Sequence, residues 1–352
     1  MEPKININNS THFSWLSRWP QWTGYAAALW SLLYGLLGMY WLLGGNGFPF
    51  GNNDSRAEMM GSFLSNLNVD VGGAVIAIAG LIGTVVAIAM IMTWGSSSRF
   101  PRAIFLSFAW IMSVTLIFIV PDSRIVQNFA YLFLLHFDLL DWRVINQVFC
   151  IVGGFIWGAS AIAYYRLTQN ACGNCGRNDA TEGSSAKATA KWGKWFTYLA
   201  VIMALPYGIV RWAWALGIPL GTNDSSMVGN EDNVIVEAIL GGLCIGGGIL
   251  TLGLIQRWGV IFPRWCFFLA GKQIPIWFVM VPAMLMSAII TITGLKLSPQ
   301  IIFMMVNGSI TNENWGQFVP FLFWLPWGIS LGIAILAYYL KRRGRCKHCG
   351  KL

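Results

Sequence analysis

Eight stretches of this chain, 22–44, 71–94, 103–121, 144–165, 196–218, 234–256, 274–295 and 318–340, are almost free of charge. Each approaches the ~20 mostly apolar residues that carry a helix across a bilayer. A fold surrounded by water cannot hide so many such runs. The expected fold is therefore an all-α integral membrane protein with eight transmembrane helices. Composition agrees: 56% of the 352 residues are hydrophobic and 11% are charged, against ~25% charged in a soluble domain. A soluble enzyme, a coiled coil, a disordered tail and a secreted disulfide scaffold are excluded together. The first 21 residues are polar and lack an apolar core, so no cleavable signal peptide is expected.

Lys and Arg set the orientation. With the N-terminus inside, the inner segments hold 18 of them and the outer loops four, namely Arg56, Arg124, Arg143 and Lys296; Arg211 lies within a span. Basic residues gather on the cytoplasmic side of membrane proteins. The chain is accordingly expected in the cell membrane with both termini cytoplasmic. The net charge of +9 follows from the same sorting, and no nucleic-acid-binding signature accompanies it.

The chain also resembles itself. Tyr25, Tyr34-Gly35, Trp41 and Gly44 in the first span return as Tyr198, Tyr207-Gly208, Trp214 and Gly217 in the fifth, 173 residues later. Both runs lead into a loop of one pattern, Gly47-Phe-Pro-Phe-Gly51-Asn-Asn53-Asp54-Ser55 and Gly217-Ile-Pro-Leu-Gly221-Thr-Asn223-Asp224-Ser225. Trp94-Gly95 and Trp258-Gly259 end the second and sixth spans, and Ala-Tyr-Tyr ends the fourth and eighth. Four spans per half predicts two parallel four-helix repeats facing the same way, as in transporters built from parallel repeats. The expected boundaries are 1–180 for the first repeat, 181–195 for a cytoplasmic linker and 196–352 for the second.

Each half closes on a C-x-x-C-G motif: Cys172-Gly-Asn-Cys175-Gly176 and Cys346-Lys-His348-Cys349-Gly350. Two such knuckles on one side of a membrane predict a small cytoplasmic four-cysteine zinc-knuckle module holding one structural Zn2+, two thiolates from each half. A disulfide is disfavoured inside the cell, and neither pair has the strand-to-helix setting of a redox dithiol. Cys150, Cys244 and Cys266 stand singly in or beside apolar spans and are read as small hydrophobes.

Ionisable residues at membrane depth are candidate sites because burying their charge is costly. Arg211 and Glu237 are two, near the outer ends of the fifth and sixth spans, while glycines (Gly38 and Gly73) take their places in the first half. A structural ion pair and a substrate site both fit. The duplicated loop supplies Asn53, Asp54, Ser55, Asn223, Asp224 and Ser225 as further candidate ligand groups, and as turn formers equally well. An acidic outer face follows from Asp54, Glu58, Asp122, Asp138, Asp141, Asp224, Glu231, Asp232 and Glu313. The three histidines, His12, His136 and His348, lie outside the spans, so bis-histidine haem is not expected.

Three functional classes remain open. A transporter or lipid-translocating permease would have an outward-facing site near Arg211 and Glu237. A membrane accessory, sensor or immunity protein would bind a cytoplasmic protein partner through the knuckles. An outer-surface enzyme would use His136, Asp138, Asp141 or Glu237. Membrane lipid is the one partner common to all three.

Overall fold

The computed structural model describes residues 18–95, 98–132, 140–177, 185–224, 226–229, 231–264, 266–343, 346 and 349. Its described residues form an all-helical chain with one isolated β-bridge, Ile261 to Gln273. The helices are α1 (Trp19–Leu42), α2 (Val69–Ile91), α3 (Arg99–Val114), α4 (Arg124–Leu132), α5 (Trp142–Thr168), α6 (Ser185–Ala215), α7 (Glu231–Leu252), α8 (Ile276–Val306), α9 (Trp315–Phe318) and α10 (Trp324–Arg342). Eight segments are long and apolar enough to cross a membrane: Trp19–Leu42, Val69–Ile91, Arg99–Ile119, Trp142–Thr168, Lys191–Ala215, Asn233–Leu252, Ile276–Val306 and Trp315–Arg342. They coincide with the eight expected from sequence, and α6 begins inside the stretch read as a linker.

Local chemistry starts and bends these helices. The Asn68 side chain accepts from the Val71 N–H at 3.5 Å and Asp141 from the Val144 N–H at 2.9 Å, so α2 and α5 open on N-caps. The third span ends in a π-helical turn, Thr115–Ile119. The last begins as α9 and a 3-10 turn, Val319–Phe323, before α10 takes over.

Small residues bring neighbouring spans together, as expected where lipid-like surroundings leave close packing as the main attraction. A Cβ at Gly80 would lie 2.4 Å from the Gly35 Cα, so α1 and α2 touch backbone to backbone. Ser113 Oγ donates to the Gly154 carbonyl at 2.8 Å, joining α3 to α5. Ser287 Oγ donates to the Gly328 carbonyl, also at 2.8 Å, joining α8 to α10. Tyr164 and Tyr338 each donate a hydroxyl, at 2.7 Å, to the carbonyls of Trp94 and Gly259.

Burial divides into two cores. One lies wholly between Ala27 and Tyr164 and the other between Ala200 and Tyr338, and each gathers the aromatic residues of its own four spans. A third cluster bridges them, with Ile125, Val144 and Ile151 packed on Ile289 and Ile292.

Two expected ends are corrected. The seventh span does not close at 295 but continues to Val306 through Lys296 and Pro299. Lys296, expected in an outer loop, is 1% exposed; its Nζ donates to the Ile119 carbonyl at 2.7 Å and lies 3.5 Å from the centre of the Phe63 ring. A charge satisfied inside the protein does not end a helix. The sixth span stops at Leu252 rather than 256, because Gly253 starts a run of tight turns against Gly259.

Candidate functional site

Cys172, Cys175, Cys346 and Cys349 come together, their four Sγ atoms all within 4.8 Å of one another. The Cys172–Cys346 separation is 3.9 Å and the Cys175–Cys349 separation 3.6 Å. Four thiolates held tetrahedrally at a metal–sulfur distance of about 2.3 Å stand about 3.8 Å apart. The four cysteines are thus placed to hold one metal ion, with two ligands following α5 and two following α10.

The first knuckle is built by its own backbone. Gly176 adopts φ +73°, and its N–H donates to the Cys172 carbonyl at 2.7 Å. Arginines fix it from outside. Arg166 donates to the carbonyls of Gly173 and Asn174 at 2.8 and 3.0 Å, and Arg343 reaches the Cys175 carbonyl at 3.3 Å. Arg177 donates to the Arg343 carbonyl at 3.2 Å, which ties the first knuckle to the end of α10. Burial works against ionisation of Cys172, yet the Cys175 and Asn174 N–H groups hold this thiol below its ordinary pKa. His348, Lys347 and Gly350 lie outside the described residues.

The two duplicated loops share a backbone device and differ in their acids. Gly51 and Gly221 have φ +67° and +66°; a Cβ at Gly51 would fall 1.5 Å from the Leu67 carbonyl oxygen and one at Gly221 2.5 Å from the Trp315 ring. Only glycine fits such a turn. Asp54 is buried, whereas Asp224 is exposed and accepts from the Ser226 hydroxyl at 2.6 Å and its N–H at 3.0 Å, which holds its carboxyl below the usual range. Ser55 and Asn223 are exposed, Asn53 lies in the short turn Gly51–Asn53, and Ser225 lies outside the described residues.

Asp54 and Asp122 leave the expected acidic surface because a buried cation claims them. Arg124, 3% exposed, donates from Nε to both Asp122 oxygens at 3.0 and 3.1 Å and pairs through Nη2 with Asp54 and Asp122. Burial opposes its charge, but Asp122 first and Asp54 second raise its pKa above the ordinary value. Arg143 stands 3.6 Å from Asp54. Sequence reading placed all of these in outer loops; the paired spacing Asp122-x-Arg124 was the available signal for a local ion pair. His136 and Asp138 lie outside the described residues.

Arg211 and Glu237 do meet. Arg211 Nη1 donates to both carboxylate oxygens at 2.8 Å, and the guanidinium stacks 4.8 and 5.1 Å from the ring centres of Tyr207 and Trp214. The side chains are 18% and 8% exposed. This is a packed ion pair bridging α6 and α7, strengthened by cation–π contact.

Sequence reading missed a cleft of about 800 Å3 lined by α7, α8, α10 and the 253–274 turns. It begins at Leu243, six residues and about 9 Å along α7 from Glu237. Gly247, Pro282, Trp327 and Leu331 line it with other apolar groups, and the Trp327 indole N–H is buried with no acceptor among the described residues. The residues 164 to 174 positions earlier in the chain are packed tight. There Trp157 is 0% exposed, donates to Ser31 Oγ at 3.1 Å and meets the Phe108 ring edge-on at 5.6 Å. A Cβ at Gly83 would already touch Trp157 at 3.3 Å, whereas one at Gly247 meets only Trp327, at 3.8 Å. A second cleft of about 550 Å3, lined more by polar groups, lies beside α1, α2 and α5 near the first knuckle.

The sequence matches no protein-family model and no curated protein, and no solved structure matches the chain.

Proposed function

We propose that this is a lipid-handling membrane protein, a permease-like translocator built as two parallel four-helix repeats clamped at their cytoplasmic ends by one structural zinc. The observation that carries the reading is the cleft between α7, α8 and α10. Its apolar lining at membrane depth suits a lipid chain and offers little to a polar solute.

Comparison of the halves supports the assignment. The Ser–Gly hydrogen bonds at 113/154 and 287/328 fall 174 residues apart with the same length. Against that shared frame, Ser31, Phe108 and Trp157 of the first half become Ala204, Pro282 and Leu331 in the second. A hydrogen-bonded aromatic plug is replaced by smaller groups where the cleft opens. Gly38 and Gly73 likewise become Arg211 and Glu237. At this level of the membrane the first half is filled and the second half open, which makes the second half the working one. The Arg211–Glu237 pair supplies a polar station on the outward side of the cleft.

The clamp has its own support. The sulfur spacing fits a tetrahedral zinc thiolate, and Arg166, Arg177 and Arg343 offset the two negative charges that four thiolates leave on Zn2+. With Lys296 placed within the seventh span, the loops and tails divide 18 basic residues against three, Arg56, Arg124 and Arg143, which supports cytoplasmic termini.

The test is translocation itself. Reconstituted protein should exchange fluorescent phospholipid between leaflets faster than protein-free vesicles, and Gly247→Leu, which fills the cleft, should slow the exchange. A rate equal to that of protein-free vesicles would overturn the translocating role.

A further inference from the structure

The cleft's floor differs from the matching region of the first half. The spacing between matched residues is 164 at Trp94 and Trp258 but 174 at Ser113 and Ser287, so ten residues are inserted in between. They fall in a compact hairpin. Phe262 N–H donates to the Lys272 carbonyl at 3.0 Å, Gly271 N–H to the Phe262 carbonyl at 3.0 Å, and Ile274 N–H to the Val260 carbonyl at 2.9 Å. The fold anchors both ends to α10: Tyr338 donates to the Gly259 carbonyl at 2.7 Å, and Arg342 to the Ile274 carbonyl at 2.9 Å.

This hairpin has two kinds of surface. Phe267 is 85% exposed and Trp277, just beyond, 65%. Arg257, Arg264 and Lys272 are exposed as well, and no acidic residue occurs anywhere from 253 to 275. Apolar rings beside cations are the pattern of a segment lying in the headgroup region of a bilayer. Phe262, Pro263 and Cys266 of the same hairpin line the cleft.

We infer that the cleft and the hairpin together form one binding site for an anionic phospholipid. The site takes an acyl chain between α7, α8 and α10 and sets the headgroup phosphate among Arg257, Arg264 and Lys272. The inference rests on the lipid-handling reading above and adds the class of lipid. Charge selects it: three cations with no acid in the same segment favour a headgroup of net negative charge over a zwitterionic one. The chain is selected by the cleft, whose apolar walls stand in contact with the charged hairpin instead of apart from it.

The experiment uses the full-length, metal-replete protein, stripped of lipid in mild detergent and titrated with dioleoyl phosphatidylglycerol or dioleoyl phosphatidylcholine. Native mass spectrometry counts the lipid retained. Wild type is expected to hold one phosphatidylglycerol about ten-fold more tightly than phosphatidylcholine, a preference that three partly screened cations can supply. Gly247→Leu is expected to abolish retention of both lipids without lowering the unfolding temperature, since its Cβ has room; Leu331→Trp is the second filling variant. The triple variant R257Q/R264Q/K272Q is expected to bind both lipids equally. Equal retention of the two lipids by wild type overturns the anionic assignment and leaves the lipid cleft standing. Retention unchanged by both filling variants overturns the cleft as the site, and the lipid-handling reading with it.

Discussion

Arg211 Nη1 lies 2.8 Å from each carboxylate oxygen of Glu237, so a single guanidinium nitrogen spans α6 and α7 where the matching positions of the first half are two glycines. At those glycines the helices nearly fuse: a Cβ on Gly73 would sit 2.9 Å from the Leu42 nitrogen and 3.1 Å from the Gly38 carbonyl oxygen. Between α6 and α7 the ion pair fills the space with side chains, while one turn away the backbones still approach, a Cβ on Gly241 lying 3.1 Å from the Gly208 carbonyl oxygen. Glu237→Ala would strand a largely buried cation, and removal of one partner of such a pair costs on the order of 2–4 kcal/mol once partial exposure of Arg211 is allowed for. Thermal unfolding in detergent should show the single variant well below wild type. The double variant Arg211→Met/Glu237→Met should recover most of the loss, which a purely additive pair of defects would not allow.

Arg124 should be the most sensitive charged residue at the opposite end of the molecule from the cysteines. Arg124→Met leaves Asp122 buried without its cation and Asp54 with Arg143 alone at 3.6 Å, a loss of about 3–5 kcal/mol. Asp54→Asn should cost less, because Arg124 keeps its bidentate contact with Asp122. Denaturation midpoints compared across the two variants check the order.

Glycine replacements separate a tight helix contact from an open one. Gly80→Ala forces a methyl to 2.4 Å from the Gly35 Cα and should lower stability by more than about 2 kcal/mol, as overpacking does. Gly247→Ala meets nothing nearer than 3.8 Å and should be neutral or gain up to about 1 kcal/mol from helix propensity. Paired unfolding curves decide this directly.

The matched serines test the duplicated frame. Ser113→Ala and Ser287→Ala each leave a buried carbonyl, Gly154 or Gly328, without this donor, and each should cost about 1 kcal/mol. The double variant should lose the sum, since the serines support different cores. A large loss from one serine and none from the other would show that the two halves do not share a frame.

The spans and the cysteines were legible in the sequence for the same reason: each signal is local and periodic. Runs of some 20 apolar residues name a membrane helix without reference to any partner, and C-x-x-C spacing sets two thiolates side by side before the chain folds. Lys296 was misplaced because charge in sequence is read as exposure, and only the π-helical turn at Thr115–Ile119 presents the carbonyl that receives it. Asp54 and Asp122 read as surface acids until Arg124 is folded between them. The cleft had no signature of its own. Leu331 and Trp157 are both apolar residues on apolar helices, and the difference between a filled space and an open one exists only after packing.

Cooperation of the two halves as one protein depends most on the bond between their ends. Metal content of the detergent-purified chain, measured for wild type beside Cys172→Ser and Cys346→Ser, tests it most directly. One zinc per chain in wild type, lost in both variants, is the predicted result, because the four sulfurs within 4.8 Å are drawn equally from the two halves. A wild-type chain free of metal with four freely alkylated thiols, or a metal retained in either variant, would contradict the clamp.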